Sequence, residues 1–384
     1  MKVLYILPSG SMYGDNVALM GILPHLVGMG IKPYFIVVQN GPIETYLREH
    51  NYDYEVIHYP YSTYPLSCSF KGMLHEIKCQ LLIWKRYRSL KRGLEIIKCF
   101  SPDIIHTNTS SNLLGYFLAR KSGTSHVMHI REYMRLDHNN EYIPTKSFFI
   151  RLIKWEKNFN IAITPGVNDY FGNLVNTKTI YDGVISKTGA PIILNQQKSD
   201  EVLFVGRLVE TKGLTHLINA FCTAKTNRHK LKIVGTGSDS YVQELKNIVE
   251  KNNKTEYVEF LGYRTDVYSL MKKAKAIIVA SRFEAFGFIT AEAMYNGCLV
   301  IGHNTAGTKM QFDNGESLFG QPIGIRYNSL EELRTKIEEV CNSDYSSYTA
   351  TRIAAQDTVL SLYTVENSAK EVFTLYKQIL NKQK

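Results

Sequence analysis

Short apolar segments alternate with longer segments of helical period along the whole chain, and this alternation constrains the fold more than any other feature. Strands that are separated by helices predict βαβ units, which build parallel sheets. The pattern therefore predicts an α/β protein with two doubly wound parallel sheets. The predicted strands are Lys2–Leu7, Pro33–Val38, Asp53–His58, Asp103–His106, His126–His129 and Asn160–Ile163 in the first half, and Glu201–Gly206, Lys230–Val234, Val258–Leu261, Ala276–Val279 and Cys298–Gly302 in the second.

The length of 384 residues also implies two domains, because one hydrophobic core rarely organises a chain of that size. Small ligands commonly bind in the cleft between two such domains. Lys187–Asp200 is polar and contains Pro191, so it is predicted to link them. The predicted domains are residues 1–190 and 191–364. Asn367–Leu380 has helical apolar spacing, so residues 365–384 are expected to form a helix that packs back on a domain, the first being the candidate.

Composition excludes several classes of protein. No segment reaches the roughly 18 uncharged apolar residues of a membrane span, and the N-terminal apolar run is too short for a signal peptide, so a cytoplasmic protein is expected. The six cysteines show neither zinc spacing nor a dense disulfide pattern, which predicts reduced thiols and no metal site. The net charge of +10 favours anionic partners without choosing among nucleotides, lipid headgroups and nucleic acid.

The loop that follows the first strand of the second half is typical of a phosphate-binding turn. It begins at Gly206, ends at Gly213 and leads into a helix. Arg207 and Lys212 in this loop would stabilise the negative charge of a departing nucleoside diphosphate. The glycines allow close approach of the backbone, and the helix start would direct N–H groups at the same anion. The alternative is a strand–loop–helix turn whose basic residues are merely solvated.

A second glycine loop, with Gly235 and Gly237, also follows a strand and precedes a helix. Glu259 lies at about the distance that a dinucleotide-binding motif requires, but Ser240 occupies the third glycine position. We therefore favour a loop that lines a nucleotide pocket over one that binds a nicotinamide cofactor.

Two glutamates eight residues apart form the third candidate feature. Glu284 lies in an aromatic, glycine-containing loop, whereas Glu292 lies on an apolar helix, so one solvated helical face cannot explain both. A carboxylate accepts two hydrogen bonds from vicinal hydroxyl groups, which a sugar and a ribose both carry. We predict that Glu284 faces the donor sugar and that Glu292 faces the ribose.

These features, taken in order along the chain, resemble the retaining glycosyltransferase family 4. The resemblance implies the GT-B fold, in which two Rossmann-like domains face each other across a cleft. It covers about a third of the chain, between Gly206 and Gly315. The residues that carry it are Gly206-Arg207-Leu208 with Lys212-Gly213, then Val234-Gly235-Thr236-Gly237, then Phe260-Leu261-Gly262, then Glu284 and Glu292 with Ala293-Met294 and Gly297.

The resemblance further implies a metal-independent transfer, without cofactor and with retention at the anomeric carbon, from a nucleoside-diphosphate sugar, UDP-sugar being favoured. One departure is that Ala306–Met310 lacks the glutamate that many members of the family carry there, so Lys309 is assigned no catalytic role. The predicted catalytic residues are Glu284, His129, Arg207 and Lys212. The predicted donor-binding residues are Gly14, Asp15, Gly206, Arg207, Lys212, Gly235, Gly237, Ser281, Glu284, Phe286, Gly287, Phe288 and Glu292.

The first half offers fewer candidates and is expected to bind the acceptor. Gly14 and Asp15 follow the first strand where the family has a glycine-rich loop; the alternative is a plain turn with Asp15 as a helix N-cap. The resemblance places His129, and with it Arg131, near the donor sugar. His106, at the end of the preceding strand, is the competing histidine and could hydrogen-bond into the cleft floor.

Basic charge concentrates in Lys71–Lys98, where lysine and arginine alternate with apolar residues at helical spacing. Such a helix suits an anionic membrane surface, and Phe148–Lys157 could add a second contact. The alternative is a surface helix packed on its sheet by an ordinary apolar stripe. The membrane interpretation would make the acceptor a lipid-linked saccharide, such as a polyprenyl-diphosphate-linked one, and would place the chain at the inner face of the plasma membrane.

The sequence therefore predicts a glycosyltransferase that transfers a hexose-type sugar to a saccharide or lipid-linked acceptor in the synthesis of capsule, O-antigen or exopolysaccharide. A non-hydrolysing sugar-nucleotide epimerase would bind the same donor on the same fold, but it needs acid and base carboxylates that the first half does not reveal. A non-catalytic anion-binding module, such as a nucleic-acid-binding or lectin-like one, would use the charge without the glutamate pair. Nucleic acid is not an expected partner of the glycosyltransferase.

Overall fold

The computed structural model describes residues 1–66, 83–191, 193, 197–226 and 228–382. The chain divides into two compact units, Met1–Gly183 with Val365–Lys384 and Val184–Thr364. The second unit therefore begins before the predicted boundary at residue 190. The reason is a short backbone pairing, in which Ile185 bridges Thr364 and the N–H of Val184 donates to the carbonyl of Tyr363 at 2.9 Å. The predicted linker also overlaps the first residues of a strand that begins at Ser199.

The first unit is built on a parallel sheet, as the apolar runs predict. Within the described residues it has seven strands in the order β3-β2-β1-β5-β6-β8-β9, and a separate antiparallel pair joins β4 to β7. The central strands are buried along most of their length, which explains their continuous apolar sequence. The strands are β1 (Lys2–Leu7), β2 (Lys32–Val37), β3 (Tyr54–Val56), β4 (Thr63–Pro65), β5 (Ile104–Thr107), β6 (Ser125–Ile130), β7 (Asn140–Tyr142), β8 (Asn158–Ala162) and β9 (Thr177–Thr179).

Helices cover the sheet of the first unit. The last helix of the chain returns to this unit and packs beside the first helix, where Val372, Tyr376 and Ile379 join the core of β1 and β2. The helices are α1 (Gly14–Gly28), α2 (Ile43–Glu49), α3 (Ile83–Phe100), α4 (Leu114–Ser122), α5 (Arg135–His138), α6 (Lys146–Ile153) and α7 (Pro165–Tyr170), followed at the end of the chain by α15 (Val365–Asn381).

The described part of the predicted basic helix is α3, whereas Lys71–Leu82 lies outside the described residues. The apolar side of α3 is used internally, because Leu90, Leu94, Ile96 and Ile97 pack on the core of the first unit. Its exposed side carries cations, among them Arg88, Lys91 and Lys98. The packing is that of an ordinary surface helix on its sheet, with a basic outer face. In the second predicted contact, Phe149 and Ile153 are core residues and Phe148 is exposed.

The second unit has a parallel sheet in the order β12-β11-β10-β13-β14-β15 within the described residues. Chain order reverses direction between β10 and β13, which makes this the topological switch point of a doubly wound sheet, where ligands commonly bind at the carboxyl ends of the strands. The strands are β10 (Ser199–Val205), β11 (Lys230–Val234), β12 (Val258–Gly262), β13 (Ala274–Val279), β14 (Leu299–His303) and β15 (Ile325–Tyr327).

Helices of the second unit follow each strand and pack on the apolar sheet through residues such as Leu217, Phe221, Leu245 and Ile337. None of the described helices of the chain is long and apolar enough to cross a membrane. Of the cysteines in the described residues, Cys222, Cys298 and Cys341 are buried and Cys99 is exposed, all as free thiols. The helices are α8 (Leu214–Thr223), α9 (Asp239–Lys251), α10 (Val267–Lys273), α11 (Phe288–Tyr295), α12 (Ala306–Phe319), α13 (Leu330–Asn342) and α14 (Thr349–Leu362).

Candidate functional site

The loops that follow β10 and β11 are joined to each other by backbone hydrogen bonds. The N–H of Gly206 donates to the carbonyl of Val234 at 3.0 Å, and the N–H of Leu208 donates to that of Thr236 at 2.8 Å. A Cβ atom added at Gly235, which has φ +139°, would lie 1.8 Å from the carbonyl oxygen of Gly206. Only glycine allows this approach. The two predicted glycine loops therefore form one continuous floor at the carboxyl edge of the sheet.

A second contact brings the loop after β10 to the end of β13. Gly213 has φ +71°, and a Cβ atom there would lie 2.2 Å from the carbonyl oxygen of Ala280. Gly213 also precedes α8, as the sequence predicts. Because the two strands flank the switch point, this contact sets the loop of Lys212 beside the loop of Glu284.

Lys212 and Glu284 form an ion pair across the switch point. The Nζ atom of Lys212 lies 2.5 Å from Oε1 of Glu284, and their side chains are 24% and 22% exposed. Arg207 is exposed and has no ion-pair partner among the described residues. The structure thus pairs a partly exposed carboxylate with a partly exposed lysine, and the loop after β10 that carries Lys212 also carries the exposed Arg207. An anionic, hydroxyl-bearing ligand requires such groups within its reach.

The loop after β13 carries the remaining predicted donor residues of the second unit. Ser281 and Phe286 are buried, at 6% and 2% exposure, and the rings of Phe286 and Phe288 meet edge to face at 5.6 Å. Gly287 has φ +92° and is the N-cap of α11, so the loop turns sharply into this helix. The sequence predicts a glycine-containing loop for Glu284 and a helix for Glu292, and the structure has both.

Glu292 lies on α11, and its polar partner is Tyr268 on α10. The hydroxyl of Tyr268 donates to Oε1 of Glu292 at 3.1 Å. Burial raises the pKa of Glu292 to about 7, and the hydrogen bond from Tyr268 opposes that shift. The carboxyl group therefore changes charge near neutral pH. Sequence reasoning missed Tyr268, because nothing in the order of residues places α10 against α11.

The first unit has an equivalent switch point between β1 and β5. Gly14 is exposed and Asp15 is half-buried in the first turn of α1. The helix N-cap is Tyr13, so the alternative in which Asp15 caps the helix is wrong. The loop is held by Asn16, whose Nδ2 donates to the carbonyls of Ser9 and Ser11, and Asn108 after β5 donates to the carbonyl of Asp15 at 2.9 Å. Sequence reasoning missed Asn16 and Asn108.

His129 lies at the end of β6 inside a buried ionic cluster. Arg131 forms an ion pair with Asp182, and its Nη2 lies 3.2 Å from Nδ1 of His129. His129, Arg131 and Asp182 are 1%, 8% and 2% exposed. Burial, reinforced by the charge of Arg131, holds the pKa of His129 well below its usual range, so the imidazole is neutral. Burial raises the pKa of Asp182, and Arg131 opposes that rise.

Next to this cluster lies a second buried carboxyl group, Glu132, which sequence reasoning did not single out. Its Oε1 accepts hydrogen bonds from the N–H and the hydroxyl of Ser110, at 2.8 and 2.7 Å. Burial raises its pKa to about 8. The competing histidine, His106, turns to the last helix instead, where its Nδ1 lies 2.5 Å from the hydroxyl of Tyr376. Within the described residues no three histidine, cysteine, aspartate or glutamate side chains are grouped to hold a metal ion.

Comparison with known proteins finds a family model that matches most of the second unit. Residues 190–356 match the family of glycosyl transferases group 1. The chain is 27% identical over 285 residues to an uncharacterized 42.6 kDa protein in the cps region of Klebsiella pneumoniae, which covers 67% of this chain and 73% of that protein. It is 26% identical over 266 residues to an uncharacterized glycosyltransferase of Methanocaldococcus jannaschii, covering 66% and 70%.

Solved structures resemble the chain over nearly its whole length. Anabaena HepE in complex with UDP has a TM-score of 0.78 at 20% identity, covering 98% of this chain and 100% of that one. The lipopolysaccharide outer core galactosyltransferase WaaB has a TM-score of 0.71 at 17% identity, covering 98% and 99%. Similarity at this level of identity shows the fold. The predicted GT-B class, with two Rossmann-like, doubly wound parallel-sheet domains, is therefore confirmed.

Proposed function

We propose that this chain is a retaining glycosyltransferase of family 4, which transfers a sugar from a nucleoside-diphosphate sugar to a saccharide or lipid-linked acceptor. The observation that carries the proposal is the ion pair of Lys212 and Glu284 at the switch point of the second unit, with Arg207 on the same loop as Lys212. A partly exposed lysine–glutamate pair with an exposed arginine on the same loop suits a ligand that joins a diphosphate to a sugar. The match to the glycosyl transferases group 1 family covers this region and supports the assignment.

The proposed chemistry is stabilisation of the leaving group. The bond between the anomeric carbon and the diphosphate oxygen breaks, and its electron pair passes to the diphosphate. Arg207 and Lys212 stabilise that charge as it develops, without a metal ion or other cofactor. The acceptor oxygen bonds to the anomeric carbon on the same face, and its proton passes to the departing diphosphate. Glu284 would orient the sugar hydroxyl groups, and Glu292 would accept hydrogen bonds from the ribose.

Uridine is the base that the comparisons favour. HepE, which has the same fold, was crystallised with UDP and with UDP-glucose. In this chain the ribose and base would lie near Glu292 and Tyr268, and the diphosphate near Arg207. Gly206, Gly235 and Gly237 would form the floor under the nucleotide, with Ser281, Phe286, Gly287 and Phe288 around the sugar diphosphate.

The first unit would bind the acceptor. We propose that Gly14 and Asp15 contact the donor, as the resemblance implies. His129, at 1% exposure, would support the site of the donor sugar from behind and not touch the sugar itself. The similarity to a protein of a cps region supports an acceptor in surface polysaccharide synthesis, such as a polyprenyl-diphosphate-linked saccharide. The cations of α3 would then attract an anionic membrane by charge alone, because the apolar side of the described part of this helix packs on the core.

The first experiment is a thermal-shift series with UDP, GDP and their sugar conjugates, with and without EDTA. A ligand that binds only the folded state raises the melting temperature, so the series identifies the base and tests metal independence. Arg207→Ala should lose most of the shift, whereas Arg334→Ala, which removes a cation paired on the surface helix α13, should keep it. Equal shifts in both variants would count against the donor site.

Product analysis separates the competing functions. A glycosyltransferase releases UDP mainly when a saccharide acceptor is present, whereas a sugar-nucleotide epimerase alters the sugar of the donor without acceptor. Glu284→Gln should abolish acceptor-dependent release of UDP. An anion-binding module would not turn over any of these ligands. Its Glu284→Gln variant would bind UDP and the UDP-sugars with equal affinity.

A further inference from the structure

The loop that carries Glu284 is held from behind by helix α12, through contacts that none of the sequence motifs includes. The N–H of Gly307 donates to the carbonyl of Glu284 at 2.8 Å. The side-chain Nε2 of Gln311 donates to two successive carbonyls, that of Phe286 at 2.7 Å and that of Gly287 at 3.0 Å. Gln311 is fully buried. Three carbonyls of one short loop are thus turned towards the same helix.

The direction of these carbonyls decides where the N–H groups of the loop point. In a trans peptide the C=O and N–H of one unit point in opposite directions. Turning the carbonyls of Phe286 and Gly287 towards Gln311 therefore turns the N–H groups of Gly287 and Phe288 away from it. These two N–H groups belong to the start of α11, where intrahelical acceptors are lacking, and they have no backbone acceptor among the described residues.

The chemistry of the Gln311 side chain indicates that it orients the loop carbonyls and does not merely fill space in the core. The amide of glutamine supplies two N–H donors, which two carbonyls require, and neither a carboxylate nor a thioether supplies any. The Oε1 atom of Gln311 is buried and has no hydrogen-bond partner among the described residues. A buried acceptor without a partner destabilises the fold, and a methionine would fill the same volume without that cost. The orientation of the loop that carries Glu284 offsets the destabilisation from the unpaired Oε1 atom.

We propose that Gln311 is a positioning residue that orients the peptide groups of residues 286–288 so that the N–H groups of Gly287 and Phe288 face the diphosphate of the donor. The inference rests on the proposed donor site. Gln311 does not touch the donor itself. It acts through the loop, and it also holds the backbone that carries Glu284 opposite Lys212.

The chain offers a matched control in Gln356. This residue is also buried, and its Nε2 donates to two carbonyls, that of Tyr295 at 2.6 Å and that of Pro191 at 3.0 Å. Tyr295 is the last residue of α11, so Gln356 anchors the far end of the helix that Gln311 anchors at its start. Loss of either amide removes the same chemistry, but only Gln311 lies at the proposed diphosphate site.

The test compares UDP with uridine, which lacks the diphosphate, by calorimetric titration of the unaltered protein, Gln311→Met and Gln356→Met. We expect the preference for UDP over uridine to fall about 10-fold or more in Gln311→Met, the size of one or two lost charge-assisted hydrogen bonds, and to stay unchanged in Gln356→Met. An unchanged preference in Gln311→Met, or an equal fall in both variants, would overturn the inference. If the unaltered protein binds UDP and uridine equally, the donor proposal itself fails.

Hydrogen exchange of the unaltered protein tests the same inference without any substitution. Saturating UDP should slow exchange at the amides of Gly287 and Phe288, and saturating uridine should not, because only the diphosphate accepts from them. This measurement remains decisive if Gln311→Met does not fold. Exchange at these two amides that UDP leaves unchanged, in a protein that binds UDP more tightly than uridine, would overturn the role of Gln311 and leave the donor site standing.

Discussion

The two switch points of this molecule share a topology and differ in character. In each unit a loop after the first strand meets a loop from the other side of the reversal, β10 with β13 in one and β1 with β5 in the other. In the second unit the meeting residues, Lys212 and Glu284, are partly exposed to solvent. In the first unit Arg131 and Asp182, near the equivalent point, are enclosed in the protein.

The difference shows that charge at the edge of a parallel sheet can serve two purposes. Partly exposed charges can exchange their partner for a ligand at lower cost than enclosed ones, because solvent partly screens them. Enclosed charges cannot be separated without a large penalty, so they hold the geometry of their surroundings. His129 lies beside such an enclosed pair as a neutral side chain, because burial and Arg131 hold its pKa well below its usual range. The predictions below test this contrast.

The largest expected effect is on stability, from breaking the enclosed pair. Asp182→Asn keeps the size of the side chain but leaves Arg131 buried without its partner charge, which should lower the free energy of unfolding by about 3–5 kcal/mol. Both tryptophans of the chain, Trp84 and Trp155, belong to the first unit, so urea unfolding followed by tryptophan fluorescence reports on this unit alone. Glu95→Gln, which breaks an exposed pair with Arg92 in the same unit, should change the midpoint far less. Equal changes in Asp182→Asn and Glu95→Gln would refute the contrast between enclosed and exposed charges.

The next effect is on turnover, from removing the exposed cation of the second unit. Arg207→Ala should lower kcat by about 100- to 1000-fold, as expected for loss of one preorganised group that stabilises developing charge. Its melting temperature should stay close to that of the unaltered protein, because Arg207 is exposed. Steady-state release of UDP from a UDP-sugar measures the effect, with Arg334→Ala as the matched surface control. Unaltered kinetics in Arg207→Ala would remove the basis of the proposed mechanism.

A smaller effect concerns pH and Glu292. Its pKa of about 7 means that the carboxylate, which we propose accepts from the ribose hydroxyl groups, forms as pH rises from 6 to 8. Uridine binding should therefore strengthen about 10-fold over this range and become independent of pH in Glu292→Gln. Uridine is the right probe because a terminal phosphate itself titrates near pH 6. A pH profile that survives in Glu292→Gln would assign the titration to another group.

Glu292 also leads to a prediction for stability. Uridine binding should strengthen as pH rises, whereas stability should fall. The pKa of Glu292 is higher in the folded chain than its value of 4.5 in an unfolded one, so the folded state binds more protons between these values. Stability should then fall as pH rises from about 4.5 to 7, by on the order of 1–3 kcal/mol for this group. Glu292→Gln should remove that part of the fall. Calorimetric melting of the two proteins at pH 5 and pH 8 measures it.

The smallest effect is expected from the exposed pair itself. Lys212→Met removes the ion pair with Glu284, whose side chains are partly solvated, and should change the free energy of unfolding by less than about 1 kcal/mol. Lys336→Met, which removes a surface pair with Glu339, is the matched control. Calorimetric melting compares both with the unaltered protein. A loss as large as that of Asp182→Asn would mean that the pair is structural, and the proposed donor site would lose its main support.

Much of the fold could be predicted because buried parallel strands leave a strong mark on a sequence. The strands Lys2–Leu7 and Lys230–Val234 have the predicted bounds. The first is a continuous apolar run after Lys2, and the second has three buried apolar residues, Leu231, Ile233 and Val234. Short edge strands such as β9 and β15 were not predicted, because three residues of mixed polarity carry no periodic signal. The boundary between the units lies before the predicted residue 190, because a bridge between residues distant in sequence, Ile185 and Thr364, joins Ile185 to the second unit.

The sequence by itself determined which residues of the second unit are candidates for the proposed chemistry. Arg207, Lys212 and Glu284 stand beside glycines in loops that follow apolar strands, and parallel strands bring the loops after them to one edge of a sheet. Such local patterns are readable because loop and strand are neighbours in the chain.

Only the tertiary structure decided which side chains enclose or support these residues. Gln311 behind the loop of Glu284, Tyr268 beside Glu292 and Asp182 beside Arg131 all approach from elements distant in sequence. Their partners are set by the packing of helices and strands, and packing depends on contacts that no local pattern records. The same packing sets burial, and burial turned Glu292 and His129 into groups with altered pKa values.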